Sequence, residues 1–482
     1  MFYYHFTLED NHMLEDKQFV PKEDLHRGLE ERHIQLIAIG GAIGVGLFLG
    51  SNSAIHTAGP GLMLSYIIGG IAIYFVMRAL GEIAVAYPVS GSFSAYARMF
   101  IGPKAGYITG WTYWFLWIIT AMAEITAVGV YCNFWWPELP QWIPALGALL
   151  CMTAINLSTV KAFGEFEFWF ALIKVVTIVA LILAGIGIIC FGFGRGGVPT
   201  GLTNLYGLEG GFLPKGFHGV LLAMTMVMFA FVGVELIGVT AGEAANPEKT
   251  IPSAINKVLW RVLIFYIGAL LVIMSIYPWK EIGVKGSPFV LAFQELGIGP
   301  AASIINFVVL TAALSSCNSG IFSTGRMIYT LSLQGQAPRY FSEVSARHIP
   351  ARGILFSFCF LLVGVILNYL LPEKVFLIVT SIATFAALWV WGTIVIIQMR
   401  SRRNKTPEEL AALKYPAVFY PYGNYFALAI LAMVYIMLAL DPNTRVAVIV
   451  GPVWLALLLV IYYMREKKKQ PLDAGLATTR QP

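Results

Sequence analysis

One lysine, two glutamates and a run of glycines hold the chemistry this sequence offers. Lys174 is the only basic residue well inside a long apolar run, and Glu124 and Glu235 are acids in comparable runs. An unpaired charge in hydrocarbon costs at least ~2.5–3.5 kcal/mol on insertion scales, so such groups face a protein interior or a polar path. A lysine so placed either exchanges a proton during a working cycle or is a permanent, hydrogen-bonded tether. The two glutamates read as members of a proton path or as packing carboxyls, neutral or paired. The glycines lie in Gly40-Gly41-Ala42-Ile43-Gly44-Val45-Gly46-Leu47-Phe48, in the middle of an apolar run over 34–55. Glycine frees the backbone and bares its N–H and C=O groups. Bare backbone at membrane depth is tolerated only where protein or a water-filled cavity surrounds it. A helix broken there binds something; close helix packing is the alternative.

Those groups need a bilayer-spanning frame. Hydrophobic residues make up 58% of the chain and charged residues 12%, with mean hydropathy +0.74. A soluble domain has about 25% charged residues. The composition therefore predicts an all-α polytopic membrane protein and excludes a soluble enzyme with an anchor. Twelve runs are long enough to span, near 34–55, 61–83, 104–132, 142–160, 166–192, 217–241, 257–277, 302–330, 353–370, 375–398, 418–439 and 446–464. With the N-terminus inside, 25 of the 32 lysines and arginines fall on the inner side and six on the outer, leaving Lys174 within a span. That bias places both termini in the cytoplasm. The net charge of +6 follows from it and does not point to nucleic acid.

Two further segments do not span. Residues 90–98 are too polar and predict a short helix on the cytoplasmic side ahead of span 3. Residues 287–296 are amphipathic and predict a connector or a lid over the outer face. The acidic N-terminal stretch does not read as a cleaved signal peptide, and Met13 is an alternative start. Cys132, Cys151, Cys190, Cys317 and Cys359 form no C-x-x-C pair, and none of the seven histidines is spaced as a ligand pair, so neither metal nor disulfide is expected. No G-x-x-x-x-G-K-[ST] occurs to power an ATP-driven pump.

Spans 1 and 6 are the two with glycine-interrupted middles, the latter reading Phe229-Ala230-Phe231-Val232-Gly233-Val234-Glu235-Leu236-Ile237-Gly238. They are five spans apart, which suggests two inverted five-helix halves. The expected organisation is an N-terminal tail (1–33), a first repeat (34–192), an outer loop (193–216), a second repeat (217–398), two more helices (399–464) and a C-terminal tail (465–482).

At these residues the chain resembles the amino acid–polyamine–organocation superfamily, and within it the bacterial amino acid transporter family of proton-coupled permeases. The matching pieces include Arg32-His33-Ile34-Gln35-Leu36-Ile37-Ala38 with the glycine run, Met77-Arg78-Ala79-Leu80-Gly81-Glu82 and Ala123-Glu124-Ile125-Thr126-Ala127. Further pieces are Glu167-Phe168-Trp169-Phe170-Ala171-Leu172-Ile173-Lys174, Gly242-Glu243-Ala244-Ala245-Asn246-Pro247 and Ser316-Cys317-Asn318-Ser319-Gly320. The resemblance covers about residues 25–465. It implies the five-plus-five inverted-repeat fold of broken helices 1 and 6, as in LeuT-like proteins, plus two C-terminal helices. It also implies alternating access around a site between spans 1, 3, 6, 8 and 10.

A free amino acid is a zwitterion, so a dehydrated site must offer donors to its carboxylate and acceptors to its ammonium. Amides at the span 1 break, from Ile43 through Gly44, Val45 and Gly46, face the carboxylate at a helix N-terminus. The resemblance assigns the carbonyls of Phe229, Ala230 and Val232 to the ammonium. Phe229 and Phe231 are gate candidates beside the break, and Ser316, Asn318 and Ser319 line the pocket or make interhelical contacts. Val45 narrows the pocket towards a small substrate. The resemblance implies that Lys174 bridges broken span 1 and span 8 where sodium-coupled relatives hold an ion. It makes Glu235 a gating or proton-sensitive group and lets Glu124 pair with Lys174. Arg32 closes an inner gate or anchors the inner side, and Glu243 ends span 6. The implied activity is proton-coupled import of small neutral amino acids such as alanine, serine, glycine, threonine or proline, in a bacterial cytoplasmic membrane, with no cofactor but the proton. Alternatives are an exchanger, a permease for aromatic, basic or gamma-aminobutyrate substrates, and an amino acid sensor.

Overall fold

Apolar runs become helix throughout the computed structural model, which describes residues 43–89, 91–193, 196–239, 247–282, 286–295, 299–403 and 405–478. No strand occurs among them. The chain enters as α1 (Val45–Phe48) and α2 (Gly50–Ala58), then makes a tight turn at Gly59–Gly61 into α3 (Leu62–Ala86). Helix α4 (Ser92–Phe100) precedes α5 (Pro103–Cys132), α6 (Trp142–Asn156) and α7 (Val160–Phe191). Helices α8 (Gly216–Ala230) and α9 (Leu236–Val239) flank a turn. Helix α10 (Pro247–Arg261) passes through a π-helical stretch, Val262–Gly268, into α11 (Ala269–Ile276). Then come α12 (Pro288–Glu295), α13 (Gly299–Leu333), α14 (Ala351–Leu370), α15 (Val375–Arg403), α16 (Tyr422–Leu440) and α17 (Val446–Thr478).

Among the described residues eight helices are long and apolar enough to cross a membrane. Three shorter apolar helices, Trp142–Asn156, Gly216–Ala230 and Ile264–Ile276, fall on the expected spans 4, 6 and 7. The chain is an all-α polytopic membrane protein. The expected first span is described only from Ile43 onward. The two non-spanning segments also appear as helices: α4 lies ahead of α5, and α12 sits on the segment that follows α11.

Burial separates the centre from the lipid face. The most apolar window of α5 is 83% buried, against 17% for α17, so α5 is the axis and α17 the rim. Helix α5 packs chiefly on α13 and α15, α2 on α8, and α7 on α13. The large exposed side chains, such as Leu183, Ile304, Val453 and Val460, stand on outer faces where lipid replaces water as their neighbour.

One end of the bundle is tied by charge. Glu82, near the end of α3, accepts from Gln398 Nε2 at 2.9 Å, from Arg402 Nε at 2.8 Å and from the Ala417 amide at 2.6 Å. Asn424 of α16 donates to Gln398 Oε1 at 2.7 Å. Arg78, one turn before Glu82, stacks 3.8 Å above the Tyr415 ring and donates to the Pro416 carbonyl. The motif Met77–Glu82 thus joins α3, α15 and the α15–α16 connection.

Candidate functional site

The site forms where one helix begins and another ends. Gly44 is extended (φ −120, ψ −159) and α1 starts at Val45; the Leu47 and Phe48 amides bond the Gly44 carbonyl, while those of Val45 and Gly46 have no helical partner among the described residues. Opposite, α8 ends at Ala230 and residues 231–235 form successive tight turns. The amides of Phe231, Val232, Val234 and Leu236 each reach back three residues rather than four. Gly233 has φ 102, a conformation that disfavours any side chain. The two breaks touch: a Cβ on Gly46 would lie 2.5 Å from Ala230 Cα. Glycine at 46 is therefore required by close approach of two backbones.

Each break carries its own carboxylate. Glu124 of α5 reaches the first: a Cβ on Gly44 would lie 2.7 Å from Glu124 Oε1 and 3.1 Å from Ser316 Oγ. The carboxylate is within hydrogen-bonding reach of the Val45 amide and the Ser316 hydroxyl, and its Oε2 is buried without a hydrogen-bond partner among the described residues. Glu235 reaches the second: its Oε2 accepts from the Gly233 amide at 3.1 Å and from Trp391 Nε1 at 3.3 Å. It therefore folds back over the turn that precedes it.

Lys174 joins the first break to α13. Its ammonium is fully buried and donates to the Ile43 carbonyl at 3.2 Å and to Ser315 Oγ at 3.0 Å. Ser315 in turn donates to Glu167 Oε1 at 2.7 Å. Two buried acids, Glu167 and Glu124, act electrostatically on the lysine. Such a charge-assisted network offsets the desolvation that a lone buried ammonium would suffer.

An aromatic cluster closes over the second break. Tyr66, Phe231 and Tyr266 stand 5.5–5.8 Å from one another, ring centre to ring centre. Tyr266 lies in the π-helical stretch and donates its hydroxyl to the Ala230 carbonyl at 3.0 Å. The π geometry displaces this side chain from α-helical register towards the break.

The sequence-derived residues distribute as follows. Ile43, Gly44, Val45, Gly46, Phe229, Ala230, Phe231 and Val232 are all buried at the facing breaks. Glu124 and Lys174 meet span 1, Glu235 meets span 6, and Ser319 lies buried on α13. The carbonyls of Phe229 and Ala230 accept bonds within the protein, from the Val232 amide and Tyr266. Arg32 and Glu243 lie outside the described residues. Sequence reasoning assigned no role to Glu167, Ser315, Tyr66 or Tyr266. Glu167 had a readable signal: it stands seven residues before Lys174, two helical turns on the same face. Tyr66 had none, being one apolar-facing ring of an ordinary α-helix, and Tyr266 had none because the π-helical stretch shifts the register that periodicity assumes.

Comparison with known proteins identifies the family. The profile of the amino acid permease family matches residues 33–474. The chain is 58% identical over 459 residues to the uncharacterized amino acid permease YtnA of Bacillus subtilis (strain 168), covering 95% of this chain and 98% of that one. It is 50% identical over 445 residues to the "Probable threonine/serine transporter YbxG" of the same organism, covering 92% and 95%. It is 46% identical over 452 residues to the aromatic amino acid transport protein AroP of Shigella flexneri, covering 94% and 98%.

Proposed function

Because this chain belongs to the amino acid permease family, we propose that it imports small neutral amino acids by proton symport across a bacterial cytoplasmic membrane. The observation that carries the coupling is the bond from Lys174 to the Ile43 carbonyl at the span 1 break. A proton gained or lost at Lys174 changes the grip of α7 and α13 on the segment whose amides receive the substrate. Occupancy of the site and protonation are thereby linked. The substrate carboxylate docks on the amides of Gly44, Val45 and Gly46, and the ammonium is held near Phe229, Ala230 and Val232. Glu124 already reaches the Val45 amide, so it is displaced or protonated when a substrate carboxylate arrives. Glu235 and Phe231 work the second break, and Ser319 belongs to the polar lining of α13.

The reading includes twelve spans, with inverted halves over 34–192 and 217–398, two further helices over 399–464 and both tails in the cytoplasm; the eight long apolar helices and three shorter ones support it. No cofactor is needed beyond the proton. Val45, fully buried, limits the space at the break and favours threonine, serine, alanine, glycine or proline over an aromatic substrate. The similarity to a threonine/serine transporter is in keeping with that choice, while the similarity to AroP keeps aromatic substrates in the test panel. The energetics suffice: ~100 mV supplies ~2.3 kcal/mol per charge, enough for roughly 50-fold accumulation with one proton.

The test is uptake of a labelled amino acid panel into proteoliposomes under an inside-alkaline gradient, with a protonophore control. Gradient-dependent accumulation of a few small neutral amino acids is expected. Uptake that requires a preloaded lumen and ignores the gradient would make the protein an exchanger and reduce Lys174 to a tether.

A further inference from the structure

Below Lys174 the interface of α7 and α13 carries a second, deeper set of polar groups. Lys174, Ser315, Glu167 and Asn318 are all fully buried. The Ser315 hydroxyl accepts from the lysine at 3.0 Å and donates to Glu167 Oε1 at 2.7 Å, so one oxygen connects ammonium to carboxylate. Asn318 and Ser319 lie beside the Glu167 carboxylate. Glu167 Oε2, Asn318 Nδ2 and Ser319 Oγ are buried polar atoms without a hydrogen-bond partner among the described residues. Asn156, the last residue of α6, donates to Asn318 Oδ1 at 2.8 Å and carries the polar line to the α6–α7 connection.

The facing helices end this line with an aromatic plate. Phe163, four residues before Glu167, stacks on Phe322 of α13 with centroids 3.7 Å apart. Arg326 then covers the other face of that stack, 3.4 Å from the Phe322 ring centre. Seven residues separate Glu167 from Lys174, about 10.5 Å along a helix. In the proposed orientation α7 starts in the cytoplasm, so Glu167, the plate and Arg326 descend from Lys174 towards it. Glu124 lies the other way, at the span 1 break beside Gly44.

The geometry points to Glu167 as the inward proton acceptor of Lys174, through the Ser315 hydroxyl, with the Phe163–Phe322 plate closing the path to the cytoplasm. In the step, Lys174 Nζ gives one proton to Ser315 Oγ as Ser315 gives its own to Glu167 Oε1. One N–H and one O–H bond break and two O–H bonds form. The ammonium–carboxylate pair becomes an amine and a carboxylic acid, which then loses its proton inward. Among the described residues Lys174 is the charged group acting on Glu167, Ser315, Asn318 and Ser319 of α13 are its polar neighbours, and Asn156 of α6 reaches it through Asn318. This inference rests on the proton-coupled reading above.

The test uses the full-length protein in proteoliposomes, with a lumenal pH dye and two assays. One is gradient-driven net uptake; the other is exchange of labelled for unlabelled substrate at equal pH. Glu167→Gln removes the acceptor, and the milder Ser315→Ala removes the relay while leaving both charged groups. Both are expected to lower net uptake and its proton flux about 10-fold or more, with exchange close to wild type. Full net uptake by either variant overturns the relay. Equal loss of exchange and net uptake in both also overturns it, since the cluster would then be structural. If wild-type uptake ignores the gradient, the coupling reading itself falls, and with it this step.

Discussion

Gly46 shows at the residue scale how little room the two breaks leave. A methyl there would meet Ala230 Cα at 2.5 Å, and a backbone atom cannot turn aside as a side chain can. Gly46→Ala is expected to lose about 1–3 kcal/mol as an overpacked contact, with uptake falling more than the melting temperature would suggest. Wild-type uptake by this variant would show that the breaks do not need to touch. Gly233→Ala carries a different strain, because its φ of 102 is open only to glycine at low energy; about 1–2 kcal/mol is expected. Lys174→Gln keeps a donor towards the Ile43 carbonyl but cannot carry the charge. It is expected to abolish uphill accumulation while exchange persists, and full uphill uptake would sink the proton role of Lys174. Lys174, Glu124 and Glu235 were legible because a charge in an apolar run has few benign explanations. Glu167 was harder to read, since it is the second residue of the apolar run 166–192, where a solvated acid is unremarkable.

Elements act through their ends and interfaces. Helix α3 is held to α15 by Glu82, whose side chain is 2% exposed against 13% for its partner Arg402. Glu82→Ala leaves Arg402 largely buried without its carboxylate. Breaking such a pair costs about 3–5 kcal/mol, so a lower melting temperature in detergent is expected. An unchanged melting temperature would mean that the Gln398 and Ala417 contacts alone hold this end. On the opposite pairing, α7 with α13, the aromatic plate is the element that separates the buried acid from the bundle's end. Phe322→Ala is expected to admit a substrate-independent proton leak, read as dissipation of an imposed pH gradient in proteoliposomes. A gradient as durable as in the wild type would remove the plate from the proton path. Periodicity announced α5, α7, α13 and α15 plainly, since long apolar runs in a bilayer have no alternative to helix. It was blind to the π-helical stretch that turns Tyr266 onto the Ala230 carbonyl, because that shift depends on neighbours far along the chain.

The whole molecule is arranged from a dry axis to a lipid rim. Helix α5 is buried on nearly every face, and α17 on few, so the groups that need shielding lie near the former. Orientation is the property of the whole that basic-residue counting proposes. It is checked by placing single cysteines at Lys215 and Lys414, both exposed, in a background lacking the five native ones. A membrane-impermeant maleimide is expected to label position 215 in intact cells and position 414 only after permeabilisation. The reverse pattern would invert the molecule and with it the inward direction assigned to Glu167.

Composition and pattern alone determined the class of the protein, the positions of most spans, the glycine-rich stretches at Gly44 and Gly233 and three of the charged groups. All of these depend on the price of polarity in hydrocarbon, which is local and readable residue by residue. The tertiary structure decided which groups meet. It placed Glu124 at Gly44 and Glu235 over Gly233, brought Gly46 against Ala230, and linked Lys174 through Ser315 to Glu167. Those contacts join residues up to 184 positions apart, Gly46 with Ala230 being the widest, and hydrophobic period carries no information about such pairings. Packing geometry selects them, because a buried polar atom must find a partner among whatever side chains the neighbouring helix presents.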